Sequence, residues 1–313
     1  MNTSSSKNKS ICETPVLLML FNRPGMTQKV FDKVREARPA KLFVAANGPR
    51  KDIPSDIESC KAVRAIFDNI DWECELLTDF PETNINMHTR WYKTMDWFFQ
   101  SVERGIILED DCVPDDSFFQ YCTELLERYK DASEIMHING SNFQYGRKRG
   151  EFSYYFSKYS HVWGWATWRR AWRCYDHSLS SFPQFKKNNV IDTAVSDSKQ
   201  KTHWMTFFEG LYSGTYNTCD GKWLYAIWAH MGVCITPNTN MISNIGFGLD
   251  AGHTILKDKS MGQPVANIGR LTHPISIVID YEADNLTFKK IVHKSFFQKA
   301  LYRTVRSLSK MKW

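Results

Sequence analysis

The chain has 313 residues, 42% of them hydrophobic and 14% aromatic, with 11 Trp. So many large apolar side chains exclude an intrinsically disordered protein, and the length suits one large α/β domain or two closely joined halves. Of the 40 basic residues eight lie in 285–313, where no Asp or Glu occurs, which leaves 32 against 34 acidic residues elsewhere; no DNA or RNA motif accompanies this charge, so nucleic acid is not expected as a partner.

Residues 1–14 are polar at their start and lack the apolar stretch of a signal peptide, so they read as a flexible N-terminus. The eight cysteines form no Cys-X-X-Cys pair and no zinc spacing, which suits reduced thiols in a cytoplasmic protein. No run of about 18 apolar residues marks a membrane span.

Residues 15–21 are an apolar run that predicts a buried strand, with Asn22-Arg23-Pro24-Gly25 as the turn into a helix over 26–37. A second strand follows at 41–46, a turn at Asn47-Gly48-Pro49-Arg50, and a helix over 54–67. A third strand at 72–78 leads through a loop, 79–87, to a helix over 89–102, and a fourth strand at 105–108 runs straight into Glu109-Asp110-Asp111. A helix over 117–129 and a strand at 135–138 complete this half. The alternation predicts an α/β fold with a Rossmann-like, mostly parallel sheet flanked by helices. Ligands of such sheets bind beyond the carboxyl ends of the strands, where Asn22-Arg23, Asn47-Gly48 and the three acids all fall.

The remainder is less regular: an aromatic-rich stretch at 154–172, helices at 203–212 and 222–229, and a Gly/Asn-rich loop at 238–252. The reading is a nucleotide-binding half at 15–140, an acceptor-side half at 141–283 and a basic amphipathic helix at 284–313. In that last segment apolar residues recur at helical spacing between lysines and arginines, which suits either an anionic membrane surface or a helix packed on the domain.

Three successive acids repel one another unless a cation or ligand donors intervene. A divalent ion held by one or two carboxylates and by phosphate oxygens is a natural remedy, and a solvated acidic turn is the alternative. Together with Phe21-Asn22-Arg23-Pro24 and Asn47-Gly48-Pro49-Arg50, the run from Gly105 to Pro114, Trp163-Gly164-Trp165-Ala166-Thr167-Trp168 and Asn244-Ile245-Gly246-Phe247-Gly248 with His253 resemble bacterial nucleotide-diphospho-sugar transferases often labelled hemolytic-protein-like. More distantly the chain is similar to N-acetylglucosaminyltransferase I. The resemblance runs from about Pro15 to His253 and implies a GT-A fold and a metal-dependent glycosyltransferase.

It further implies that Asp111 is the principal ligand of Mn²⁺ (or Mg²⁺), that Glu109 and Asp110 address the ribose and metal-bound water, and that Asn22, Arg23 and Asn47 contact the nucleotide, expected to be UDP. Relatives usually carry Asp at the position of Asn47, which keeps an acceptor oxygen but loses the charge. Arg90 is a weaker nucleotide candidate, with a solvated surface Arg as its alternative. Trp165 is expected in a helix that floors the donor-sugar pocket, although such indoles are equally at home in a core. Asp220 is the candidate base for an inverting displacement, alongside a capping role at a helix start; Asp176 and Asp250 are fallbacks. His253 is a second metal candidate. The expected acceptor is a glycan or lipid-linked saccharide, with the basic tail attached to the inner face of the plasma membrane. A sugar nucleotidyltransferase and a non-catalytic carbohydrate- or membrane-binding protein are the rival readings.

Overall fold

The computed structural model describes residues 11–68, 70–246 and 264–292. Strand β1 (Val16–Leu20) alternates its side chains between two cores: Val16, Leu18 and Leu20 join one, Leu17 the other. Pro24 opens helix α1 (Pro24–Ala37), where its fixed φ and missing N–H cost nothing. The first half continues with β2 (Lys41–Ala46), α2 (Ser55–Ala65), β3 (Glu75–Asp79), α3 (Met87–Ser101), β4 (Arg104–Glu109), β5 (Cys112–Pro114), α4 (Ser117–Arg128) and β6 (Ile135–Asn139). The second half adds β7 (Tyr154–Ser157), β8 (Trp165–Trp168), the short α5 (Arg169–Trp172) and α6 (Phe182–Lys187), α7 (Ser198–Tyr212), α8 (Cys219–Ala229), β9 (Val233–Pro237), β10 (Ile242–Asn244) and α9 (Tyr281–Thr287).

Eight strands form one sheet in the order β3-β2-β1-β4-β8-β6-β9-β7. The first four are parallel; β8 runs antiparallel to both β4 and β6, and β7 is antiparallel to β9. The expected α/β architecture with helices on both faces is therefore present. One face is covered by α1 and α4 through Val30, Phe31, Val34, Phe118 and Leu125, and the other by α3 and α8 through Met95, Phe98, Trp223 and Ile227. Side chains of this size contribute roughly 1.5–3 kcal/mol each on full burial. Among the described residues no helix is long and apolar enough to cross a membrane.

Two expectations change here. Residues 165–168 form a strand, all four buried, instead of starting a helix. Gly164, at φ +60°, makes the turn into it, and a Cβ there would lie 2.3 Å from Ile242, so this glycine serves a tight protein contact. The boundary at 284 falls inside α9, where Asp284 is buried and accepts from the Ser157 hydroxyl (2.5 Å) and the Lys158 amide (3.0 Å). Phe288 is buried as well, so 284–292 is docked on the body; 293–313 lies outside the described residues.

Candidate functional site

The carboxyl ends of β1, β2 and β4 converge on a cavity of about 550 Å³. Parallel pairing sets Met19 of β1 beside Glu109 of β4, so the β1 turn and the acids are neighbours by register. Phe21, Asn22 and Arg23 line one side, Glu109, Asp110 and Asp111 the floor, and Asn244 and Gly246 the far rim. A face of α3 closes the remaining side with Met87, Arg90, Trp91 and Thr94, spaced three and four residues apart as one helical stripe.

Arg23 binds two of the acids. Its Nε donates to Asp110 Oδ2 (3.1 Å), its Nη2 to Asp110 Oδ1, and its Nη1 to Asp111 Oδ2 (3.0 Å). Burial opposes the guanidinium charge, but Asp110 and Asp111 outweigh it and hold the Arg23 pKa above its ordinary value. Asp110 is pushed up to about 6, because burial and the nearby Asp111 exceed what Arg23 returns. The Glu109 side chain makes no hydrogen bond or ion pair among the described residues. Burial, then Asp111, Asp110 and Asp220, drive it up to about 8. At neutral pH Glu109 therefore keeps its proton, and Asp110 and Asp111 share the one guanidinium of Arg23.

The short antiparallel pair β5–β10 delivers the far rim. It sets Asn244 opposite Cys112, and the Ile245 amide donates to the Asp111 carbonyl (2.8 Å). Gly246 then lies against the Asp111 carboxylate, where a Cβ would sit 2.1 Å from Oδ2. Asn244 Nδ2 and the Cys112 thiol each lie 3.4 Å from Oδ1 of the same group.

Asn22 lines the cavity, but its Nδ2 donates to Asp56 (2.7 Å), which is also paired with Arg50 and held down to about 2, chiefly by that arginine. Asn47 lines the cavity at the end of β2, with its side chain held by backbone groups. Its Oδ1 accepts from the Gly48 and Ile85 amides (3.0 Å each) and its Nδ2 donates to the Ile85 carbonyl (2.8 Å), so both acceptor sites are filled by backbone and none is left for a uracil N–H. Arg90, far from being a solvated surface residue, is 8% exposed, paired with Asp79, and faces the cavity.

Trp165 lies behind the cavity lining. It is fully buried, stacked 4.8 Å from His137, and touches no part of the cavity; Trp163 lines it instead. Asp220 sits exposed in the first turn of α8, does not line the cavity, and lies near enough that its charge raises Glu109. It is not the cap: Thr218 Oγ1 accepts from the Gly221 amide (3.2 Å). Asp176 accepts from the amides and hydroxyls of Ser178 and Ser180, which outweigh burial and hold it down to about 2, so it is spent on its own turn. His253 and Asp250 lie outside the described residues.

The sequence reading missed Thr94 and the 84–85 segment. Thr94 is 0% exposed, and its Oγ1, like Arg90 Nε, has no hydrogen-bond partner among the described residues. The four-residue spacing of Arg90 and Thr94 was the available signal, since it puts both on one helix face. Among the described residues no three His, Cys, Asp or Glu side chains form a metal cage. The donor set fits a hard divalent cation held by one or two carboxylates and completed by phosphate oxygens, and does not fit a structural zinc site.

No family model and no curated relative matches this chain. Among solved structures it is similar to 4-diphosphocytidyl-2C-methyl-D-erythritol synthase from Anaerococcus prevotii DSM 20548 (9% identity, 63% of this chain and 83% of that one, TM-score 0.31). It is also similar to a UDP-glucose pyrophosphorylase in complex with UDP-glucose (9%, 72% and 90%, 0.36) and to mouse xyloside xylosyltransferase 1 in its apo form (7%, 69% and 80%, 0.34). Likenesses this slight carry no weight for the site, which stands on its own geometry.

Proposed function

We propose that the protein is a metal-dependent glycosyltransferase of GT-A type, which moves a sugar from a nucleotide-diphosphate donor to a glycan or lipid-linked glycan by an inverting displacement. UDP is the first nucleotide to test. The observation that supports this most is the meeting of three successive acids with Arg23 in one cavity at the carboxyl ends of three parallel strands, where such sheets bind ligands.

Asp111, with Asp110 beside it, would hold Mn²⁺ or Mg²⁺, and a bound ion supplies charge stabilisation for the departing nucleoside diphosphate. Arg23 would bind the same diphosphate through its planar fork. The α3 face of Arg90, Trp91 and Thr94 packs against the body of the donor, and Trp163 offers an aromatic wall to a sugar ring. Asp220, exposed at the start of α8 and felt electrostatically at Glu109, takes the acceptor hydroxyl proton as that oxygen attacks.

The test is donor turnover with Mn²⁺, read as the product released. UDP release supports the transferase, whereas pyrophosphate release would assign a nucleotidyltransferase. Asp111→Ala should abolish metal-dependent donor binding, and Asp220→Ala should keep binding and lose transfer. Normal activity in the Asp111 variant would overturn the proposal.

A further inference from the structure

We infer that Arg23 is a built-in counter-ion that holds a divalent cation off the acid site until a diphosphate draws the guanidinium away, so that the cation binds only weakly alone and tightly with or after the nucleotide. The inference rests on the donor-site reading above and adds an order of binding to it.

The geometry leaves a cation little choice. One guanidinium serves both carboxylates, two bonds to Asp110 and one to Asp111 Oδ2 at 3.0 Å. The Asp110 side chain is 4% exposed, and Arg23 bonds both of its oxygens. Asp111 Oδ2 is flanked by the guanidinium and by the backbone of Gly246, while Oδ1 faces Asn244 and Cys112. A cation approaching Oδ2 therefore meets a like charge already on that oxygen, and tight binding requires that Arg23 leave first.

Arg23 is able to leave. Its backbone is pinned at the start of α1 by the Met26 and Thr27 amides, which donate to its carbonyl, so the side chain can swing without moving the helix. The side chain is 28% exposed into the cavity. A diphosphate offers it bidentate oxygen acceptors of the same charge sign as the carboxylates. Exchanging one anionic partner for another conserves the guanidinium's pairing and uncovers Asp110 and Asp111 together.

The experiment titrates the full chain with Mn²⁺, followed by electron paramagnetic resonance of the free ion, with and without UDP. Wild type should bind Mn²⁺ weakly alone and more tightly with UDP. Arg23→Gln should bind Mn²⁺ alone on the order of tenfold more tightly than wild type, as expected when a competing, partly buried ion pair is removed, and should gain less from UDP. Structural damage would weaken binding, the opposite sign. If the Gln variant does not fold, Arg23→Lys, whose single ammonium lacks the fork that spans both carboxylates, should show a smaller gain. Equal or weaker Mn²⁺ binding in the folded variant, while wild type binds Mn²⁺ with UDP, overturns the counter-ion and leaves the donor site standing. No Mn²⁺ binding by wild type under either condition overturns both.

Discussion

Three adjacent carboxyl groups at the end of β4 meet three different surroundings, and the differences come from elements far away in sequence. Asp110 gives both oxygens to Arg23, Asp111 shares one with Arg23 and rests the same oxygen on Gly246, and Glu109 has neither. The contact at Gly246 is steric and local. In Gly246→Ala the new methyl would fall 2.1 Å from Asp111 Oδ2 and 2.8 Å from its Cγ, so the carboxylate must turn aside. Overpacking of this kind costs about 1–3 kcal/mol. Mn²⁺-UDP binding should fall by roughly tenfold or more as the carboxylate leaves its position, with secondary structure unchanged by circular dichroism. Unchanged binding would show that Asp111 does not act from this position. The acid cluster was legible in the sequence because a buried apolar run ends abruptly in charge. Arg23's attachment to it was not, since the partners are 87 residues apart and no local pattern joins them.

Asn47 and Asn84 tie the β2–α2 turn to the β3–α3 loop, through backbone groups of Gly48, Pro49 and Ile85. That clasp sets where the cavity-lining stripe of α3 begins. Asn47→Asp keeps the acceptor oxygen but turns the amide that donates to the Ile85 carbonyl into an anion facing it, which should destabilise the protein by about 1–3 kcal/mol in urea titrations. UDP affinity should drop with it. A gain in UDP affinity would restore Asn47 as a reader of the base. The parallel β-α repeats were readable because their strands and helices each show a plain period and are bounded by turn residues. The 165–168 segment was not, because four buried residues are too few to separate a strand from a helix by period. Its identity as β8 is decided by long-range pairing with β4 and β6.

Across the whole molecule, buried titratable groups pull stability in opposite directions with pH. Asp284, which holds α9 on β7, is raised by burial to about 7. Its folded-state pKa lies above the unfolded one, so the folded protein keeps a proton that the unfolded chain releases from about pH 4 upward. That contribution is present at low pH and lost as pH rises toward 7. His137 does the reverse: burial lowers it to about 3, so its contribution is present above about pH 6.5 and lost as pH falls. Its ring is neutral, accepting from the Trp223 indole at Nδ1 and facing the His161 carbonyl through Nε2. In Asp284→Asn the carboxyl's slope disappears while the histidine's remains. The variant should gain on wild type by a few kcal/mol, at most, between pH 4 and 8 in denaturant melts. A pH-independent difference would show that Asp284 stays ionised throughout. The acids and histidines were visible as letters, but their burial is a property of the finished packing.

The antiparallel insertion of β8 between β4 and β6 also governs how the molecule comes into being. A chain growing from its N-terminus can pair β3, β2, β1 and β4 early, but β4 then remains an unprotected edge until residues 165–168 have been made, and β6 has no neighbour in the sheet before then. The strand that bears Glu109 is thus the seam along which the nascent halves are stitched. The carboxyl cluster reaches its final setting late in synthesis, once the β10 segment has also arrived to close over Asp111. The two halves are therefore poor candidates for exchange as cassettes between proteins, because the acids belong to the join.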